Sequence, residues 1–330
     1  MSLELTYVLP LRWDDERDPS ELTTYLERLS QTVELIVVDG SPPEVFEVHH
    51  SLWRHLCKHL PPDPDVSFLN GKVDGVFSGV RRATWDAVVI ADDDVRYDEA
   101  ALGRIAWLLQ DADLVRPQNY FEPMPWHGLW DSARSLLNRA AGGDFPGTLG
   151  FRRSFFMAMG GYDGDVMFEN LELIRTIAAA GGREIVARDL FVARVPPSSE
   201  GFRSQRVRQA FDDLAMPLRL ITFLALIPLT LVATAAGKWR WVAGGALVSV
   251  GVAEAGRRRG KGTSVFPARA AAFAPLWLLE RGVCSWLALG SRIFYGGVRY
   301  RRGIIKMAAT PASRLEARFA TGVPPSHPVP

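Results

Sequence analysis

The chain has 330 residues and a formal net charge of +1, long enough for one large α/β domain plus a further segment and too evenly charged for a nucleic-acid binder. No basic stripe with interleaved aromatics occurs in the first 190 residues, which leaves phosphate-backbone binding without support there. Two distant cysteines, Cys57 and Cys284, give neither a disulfide framework nor a zinc spacing, and the acidic start Met-Ser-Leu-Glu-Leu argues against a cleaved signal peptide.

Leu5 to Leu9 predicts a first strand stopped by Pro10, followed by a polar loop from Leu11. Ser20 to Leu29 predicts a helix, with Leu22, Tyr25, Leu26 and Leu29 at helical spacing. Glu34 to Asp39 is a second strand that ends in an acid and Gly40-Ser41. Strand, helix, strand and a terminal Asp is a nucleotide-site topology of doubly wound sheets, although Asp-Gly is also a good turn. Phe46 to Leu60 is expected as one amphipathic helix carrying His49, His50, His55 and His59. His55 and His59 stand four apart, yet only Cys57 lies near to complete a metal set. Asn70 to Ala83 is a helical segment with Gly75 and Gly79, whose small residues allow close approach to a sheet or to a nucleotide. Lys72 in it faces either phosphate or solvent.

Ala87-Val-Val-Ile-Ala91 reads as a strand covered on both faces, and it delivers Asp92, Asp93 and Asp94 at its carboxyl end. Three adjacent carboxylates repel one another and call for a cation or strong hydrogen bonding. Hard oxygen donors of this kind suit Mg²⁺ or Mn²⁺ bound together with nucleotide phosphates. Asp98 to Leu109 is a helix and Ala112 to Pro117 a short strand. Gln118 to Trp130 gathers aromatics and prolines in an expected loop, as an acceptor surface or as packing over the core. Gly142 to Arg153 is Gly-rich and ends in two arginines suited to phosphate. Leu171 to Ala180 is helical with Gly181-Gly182 as its stop, which sets Glu169 at a helix N-terminus where the dipole favours its anionic form.

These pieces, in this order, resemble family 2 glycosyltransferases with the GT-A fold, over about Leu5 to Phe211. The resemblance rests on Val37-Val-Asp39-Gly-Ser, on Asn70-Gly-Lys72 before Val88-Val-Ile-Ala-Asp92-Asp-Asp94, on Gly150-Phe-Arg-Arg153 with Gly160-Gly-Tyr-Asp163, and on Phe168-Glu-Asn-Leu-Glu-Leu173. It implies an α/β, Rossmann-like and mostly parallel sheet. It also implies Asp39 at the nucleobase, Asp92 and Asp94 at a divalent cation, and Lys72, Asp92 and Asp93 at the donor. The family's usual base, an Asp after Glu169, is here Asn170, and an amide takes no proton from a hydroxyl. Glu169 is the expected catalytic base, with Asp163 or no base as the alternatives. Gln205-Arg-Val-Arg208-Gln is similar to the Gln-x-x-Arg-Trp segment of membrane enzymes such as ceramide glucosyltransferases and polysaccharide synthases. That similarity implies Gln205 and Arg208 at the leaving diphosphate; a basic strip beside a membrane is the other reading. Gln209 stands where Trp is expected, against a processive polymerase.

Mean hydropathy near zero hides a split, because 217 to 290 is dominated by Leu, Ala, Val and Gly. Leu220 to Ala236 is an uncharged run of about 17 residues, the lower limit for a span, and with Trp241 to Ala253 it predicts a transmembrane hairpin over about 218–255. Arg257-Arg-Arg-Gly-Lys261 then places the catalytic domain in the cytoplasm. Phe266 to Leu289 contains Arg269, Glu280 and Arg281 and is expected to be interfacial or re-entrant, at about 265–290. The expected organisation is thus a catalytic domain at 1–213, a membrane region at 214–306 and a disordered tail at 307–330. The expected function is a membrane-bound, cytoplasm-facing, metal-dependent and inverting glycosyltransferase. It would use a UDP- or GDP-sugar and a lipid or other amphiphilic acceptor, with no nucleic acid. A sugar nucleotidyltransferase and a degenerate membrane scaffold are the alternatives.

Overall fold

A computed structural model describes residues 2–15, 17–300 and 302–321. Its first half alternates strand and helix: β1 (Leu5–Leu11), α1 (Ser20–Ser30), β2 (Glu34–Asp39), α2 (Pro43–Trp53), β3 (Lys58–Leu60), α3 (Gly71–Arg82) and β4 (Ala87–Ala91). These four strands pair in parallel in the order β3-β2-β1-β4. Every residue of β1 is buried, as is nearly all of β2 and β4, the pattern an apolar run adopts when helices cover both faces of a sheet.

β1 runs through Pro10 instead of stopping before it. Pro10 lies opposite Val38 on β2, whereas β4 pairs with β1 only as far as Val8, so the missing N–H leaves no ladder bond unmade on the β4 side. α3 closes on β1 through its glycines. A Cβ at Gly79 would lie 2.3 Å from Val8 Cγ1, and one at Gly75 2.7 Å from Pro10 Cβ. Small residues in α3 therefore serve close packing of helix on sheet. The expected helix over 46–60 is two elements, because the chain turns after Trp53 and Lys58–Leu60 joins the sheet beside β2.

The chain continues with β5 (Val95–Arg96), α4 (Glu99–Leu108), β6 (Leu114–Phe121), α5 (Trp126–Ala141), β7 (Thr148–Arg152), α6 (Arg153–Ala158), α7 (Glu169–Ala179) and β8 (Glu184–Arg194). β7 is antiparallel to both β4 and β6, and the eight strands stand in the order β3-β2-β1-β4-β7-β6-β8-β5. The aromatic stretch expected as a loop is instead the end of β6 and the start of α5, whose apolar face prolongs the helical pattern well past Trp130. Then follow α8 (Ser199–Ser204), α9 (Arg206–Phe211), α10 (Pro217–Ala235), α11 (Trp239–Arg258), α12 (Ala268–Ala272), α13 (Ala274–Phe294), the hairpin of β9 (Val298–Tyr300) and β10 (Gly303–Ile305), and α14 (Ala312–Thr321).

Two compact units share these elements. The first takes its described residues from Met1–Pro117, Pro146–Ala187 and Thr310–Pro330, the second from Gln118–Phe145 and Arg188–Ala309. The chain thus passes between units four times, where the sequence predicts boundaries only after 213 and after 306. The physical reason is α5, which buries Leu129, Ala133 and Leu136 with Phe223, Ala253, Phe266, Ala270, Ala271, Ala274 and Trp277 in the core of the second unit. In the first unit, α14 packs on α7, where Arg175 donates to Thr310 O at 3.0 Å and the Glu172 carboxylate accepts from Thr310 N at 2.6 Å. The part of the expected disordered tail from Ala312 to Thr321 is therefore helical, and 322–330 lies outside the described residues.

Within the second unit, α10 alone among the described residues is a helix long and apolar enough to cross a membrane, with mean hydropathy 2.0 and 6% of that window buried. α11 falls short, since Trp239-Arg-Trp241 opens it and Glu254, Arg257 and Arg258 close it. The expected two-armed hairpin thus keeps one arm of that kind. α13 buries Trp277, Arg281, Cys284, Ser285 and Ala288 and exposes Leu276, Leu279, Val283, Trp286 and Leu287 on its other side. Its charges Glu280 and Arg281 are paired within the unit: Glu280 accepts from Trp130 Nε1 at 2.6 Å and from Arg206 Nε at 2.5 Å, and Arg281 lies 3.5 Å from Asp213.

Candidate active site

The acid turn forms where β4 stops. Asp92 N donates to Gly147 O at 2.8 Å, and Val95 N returns to Asp92 O at 3.1 Å, so the three acids occupy one tight turn between β4 and β5. Arg96 holds this turn from outside, donating to Asp93 O at 2.6 Å while its guanidinium pairs with Glu21. Each predicted acid has its own surroundings. Asp93, expected as a donor contact, accepts from Trp13 Nε1 at 2.8 Å. Asp92 meets Lys72, and Asp94 is half-buried beside them in sequence.

Lys72 lies in the first turn of α3, with its backbone N–H capped by Asn70 Oδ1 at 3.2 Å. Its ammonium lies 2.6 Å from Asp92 Oδ1 and 2.7 Å from Glu169 Oε1, with Asn170 Oδ1 at 3.5 Å. Burial works against the charged form of Lys72, but the carboxylates of Asp92 and Glu169 outweigh it and hold the pKa above the usual lysine value. Glu169 is the first residue of α7, as expected. Asn170 is 7% exposed and donates to Pro146 O at 2.9 Å, so its amide anchors the loop before β7. The 160–165 loop packs on the segment that delivers Lys72: Leu69 N donates to Asp165 Oδ1 at 2.8 Å and Asn70 N to Gly164 O at 3.0 Å. Lys72, Asp92 and Glu169, far apart in sequence, thus meet at one point.

Asp39 stands differently from its expected part. Its side chain is fully buried, Oδ1 accepts from Ser41 N at 2.9 Å, and Oδ2 faces His49 Nδ1 at 2.6 Å and His59 Nε2 at 3.3 Å. Burial alone would raise its pKa; the hydrogen bonds from His49, His59 and Ser41 prevail and hold the carboxyl well below the usual range. In this conformation Asp39 offers no surface to a nucleobase. His59 reaches it because β3 pairs with β2, while His55 has no part in the cluster.

A divalent cation fits the acid turn. Asp92 and Asp94 present carboxylate oxygens only, and among the described residues no group of three or more His, Cys, Asp or Glu closes a metal site. Two hard donors without a third suit an ion that completes its shell with substrate phosphates and water.

The chain matches no protein-family model and no curated protein. It is similar to solved structures. One is the mannosyltransferase PcManGT from Pyrobaculum calidifontis in complex with GDP-Man and Mn²⁺, at 16% identity and a TM-score of 0.46, covering 97% of this chain and 80% of that one. A second is glucosyl-3-phosphoglycerate synthase from Mycobacterium tuberculosis in complex with Mn²⁺, UDP and glucosyl-3-phosphoglycerate, at 14% identity and a TM-score of 0.43, covering 62% of this chain and 78% of that one. A third is S. aureus TarS, at 12% identity and a TM-score of 0.42, covering 64% and 40%.

Gln205 and Arg208 belong to the second unit, Gln205 between α8 and α9 and Arg208 exposed on α9. The buried arginine there is Arg206, which donates to Asp131 Oδ1 at 2.9 Å and to Glu280. Arg152 and Arg153, expected near phosphate, are used by the fold. Arg152 lies by Asp86 and Asp113, and Arg153 donates to Val80 O at 2.9 Å. Trp13 is the site residue the sequence reading passed over. A lone Trp two residues after a buried strand is its signal; its backbone N–H donates to Ser41 Oγ at 2.9 Å while its indole N–H donates to Asp93.

Proposed function

We propose that the protein is a glycosyltransferase that moves a sugar, with inversion, from a UDP- or GDP-linked donor to a lipid-linked or other amphiphilic acceptor on the cytoplasmic face of a membrane. The observation that carries this reading is the junction of Lys72, Asp92 and Glu169 at the carboxyl end of β4. There an acid turn suited to a nucleotide diphosphate and its cation meets a carboxylate on a separate helix. A divalent cation held by Asp92 and Asp94 would neutralise the departing diphosphate.

The other tasks belong to the chain's own side chains. Lys72 supplies an ammonium for the phosphates. Glu169 takes the proton from the acceptor hydroxyl as that oxygen attacks the anomeric carbon. Asn170 takes no proton; its amide holds the loop before β7 in place. Membrane association is supported by α10, uncharged after Arg219 with Leu218, Ile221, Leu229, Leu231 and Val232 exposed, together with the exposed apolar side of α13.

The test uses the full chain in detergent with Mn²⁺ or Mg²⁺ and a panel of nucleotide sugars, with and without extracted lipids. Metal-dependent labelling of a lipid that Asp94→Asn abolishes is the expected result. Neither transfer nor hydrolysis of any donor, with no donor binding by calorimetry, overturns the reading.

A further inference from the structure

We infer that Lys72 is a gate on the metal site: it occupies Asp92 until a nucleoside diphosphate draws it away, so the divalent cation binds only together with the nucleotide. This inference rests on the proposed donor reading. Its basis is the contact itself. The Lys72 ammonium lies 2.6 Å from Asp92 Oδ1, the oxygen of a residue assigned to the cation, and a second cation cannot approach that oxygen without repulsion from the first. The contact is enclosed, with side-chain exposures of 18% for Lys72, 25% for Asp92 and 14% for Glu169, so water screens it poorly.

No third ligand among the described residues compensates for the loss of Asp92. An ion arriving alone finds Asp94 and a resident ammonium. A diphosphate changes both terms, because its oxygens supply the missing metal ligands and its charge gives Lys72 a new partner. The same movement has a second effect. Glu169 shares the ammonium, at 2.7 Å, and loses that partner when Lys72 turns to the phosphates. Glu169 is then released to the acceptor hydroxyl only after the donor is in place, which disfavours acceptor chemistry in an empty site. Asn70, which caps the Lys72 backbone, and Asn170 at 3.5 Å keep the lysine within reach of all three groups.

The experiment is a Mn²⁺ titration of the full chain in detergent, read by electron paramagnetic resonance of free Mn²⁺, without nucleotide and with saturating UDP or GDP. Lys72→Met and Lys72→Arg run beside wild type, with thermal melting as a control for folding. Wild type is expected to bind Mn²⁺ roughly tenfold or more tightly once a nucleoside diphosphate is present. Lys72→Met is expected to bind Mn²⁺ alone about tenfold more tightly than wild type, and Lys72→Arg to retain the dependence on nucleotide. Equal Mn²⁺ affinity of wild type with and without a nucleotide that demonstrably binds overturns the gate and leaves the donor reading standing. No binding of either nucleotide overturns the donor reading itself. In that case an unchanged Mn²⁺ affinity in a folded Lys72→Met protein still rejects Lys72 as the group that blocks Asp92.

Discussion

Asp39 ends β2 with both carboxylate oxygens engaged, in contact with two histidines that the chain supplies from α2 and β3. A folded pKa below the unfolded one means that its stabilisation is fully present above the unfolded value, about 3.9, and is lost as pH falls toward the folded value. Asp39→Asn should therefore cost roughly 3 kcal/mol at pH 7 and flatten the fall in stability below about pH 4. Urea unfolding followed by tryptophan fluorescence between pH 2 and 7, in the same detergent, checks both, and an unchanged acid limb rejects the assignment. The acids at strand ends could be read from the sequence because each follows an unbroken apolar run. Their partners could not. Nothing in the spacing brings Trp13 to Asp93 or His59 to Asp39, since both contacts depend on which strands become neighbours. The Lys72–Glu169 contact spans 97 residues, a separation no local pattern encodes.

α3 shows what an element adds to the residues in it. Gly75 and Gly79 lie one helical turn apart on the face that meets β1, and each gives a methyl group no room. Gly79→Ala should destabilise by about 1–3 kcal/mol, because Val8 is itself fully buried and cannot move aside. Gly103→Ala in α4 is the matched control. Its nearest neighbour would be Leu3 Cδ2 at 4.0 Å, so the gain in helix propensity, up to about 1 kcal/mol, should appear as stabilisation. Thermal melting of both variants decides the point, and a Gly79→Ala protein as stable as wild type contradicts this packing. The same element exposes one limit of sequence reading. Its glycines allowed approach to a sheet or to a nucleotide, and only the register of α3 over β1 selects the sheet. The helix expected over 46–60 failed for a related reason: the strand after Trp53 is short, and its partner β2 decides it.

At the scale of the whole molecule, the split in hydropathy was legible, but its boundaries were not. α5 carries an ordinary amphipathic pattern and reads as part of the first domain, yet its apolar face belongs with α11, α12 and α13. Lys substitutions at both Leu231 and Val232, exposed at 64% and 67% on α10, should weaken membrane partitioning, by less per charge than the roughly 2.5–3.5 kcal/mol of a helix centre because both lie near the end of α10. Flotation with phosphatidylcholine vesicles measures this, and equal flotation of wild type and the double variant rules out α10 as the anchor. The proposed chemistry takes place at the junction of Lys72, Asp92 and Glu169. Single-turnover transfer by Glu169→Gln, with donor affinity measured on the same preparation, tests it most directly. Glu169 as the base predicts a transfer rate roughly 10² to 10⁴ times lower with the sugar nucleotide still bound. A variant that transfers as fast as wild type would show that the proton leaves by another route and that Glu169 is not the base.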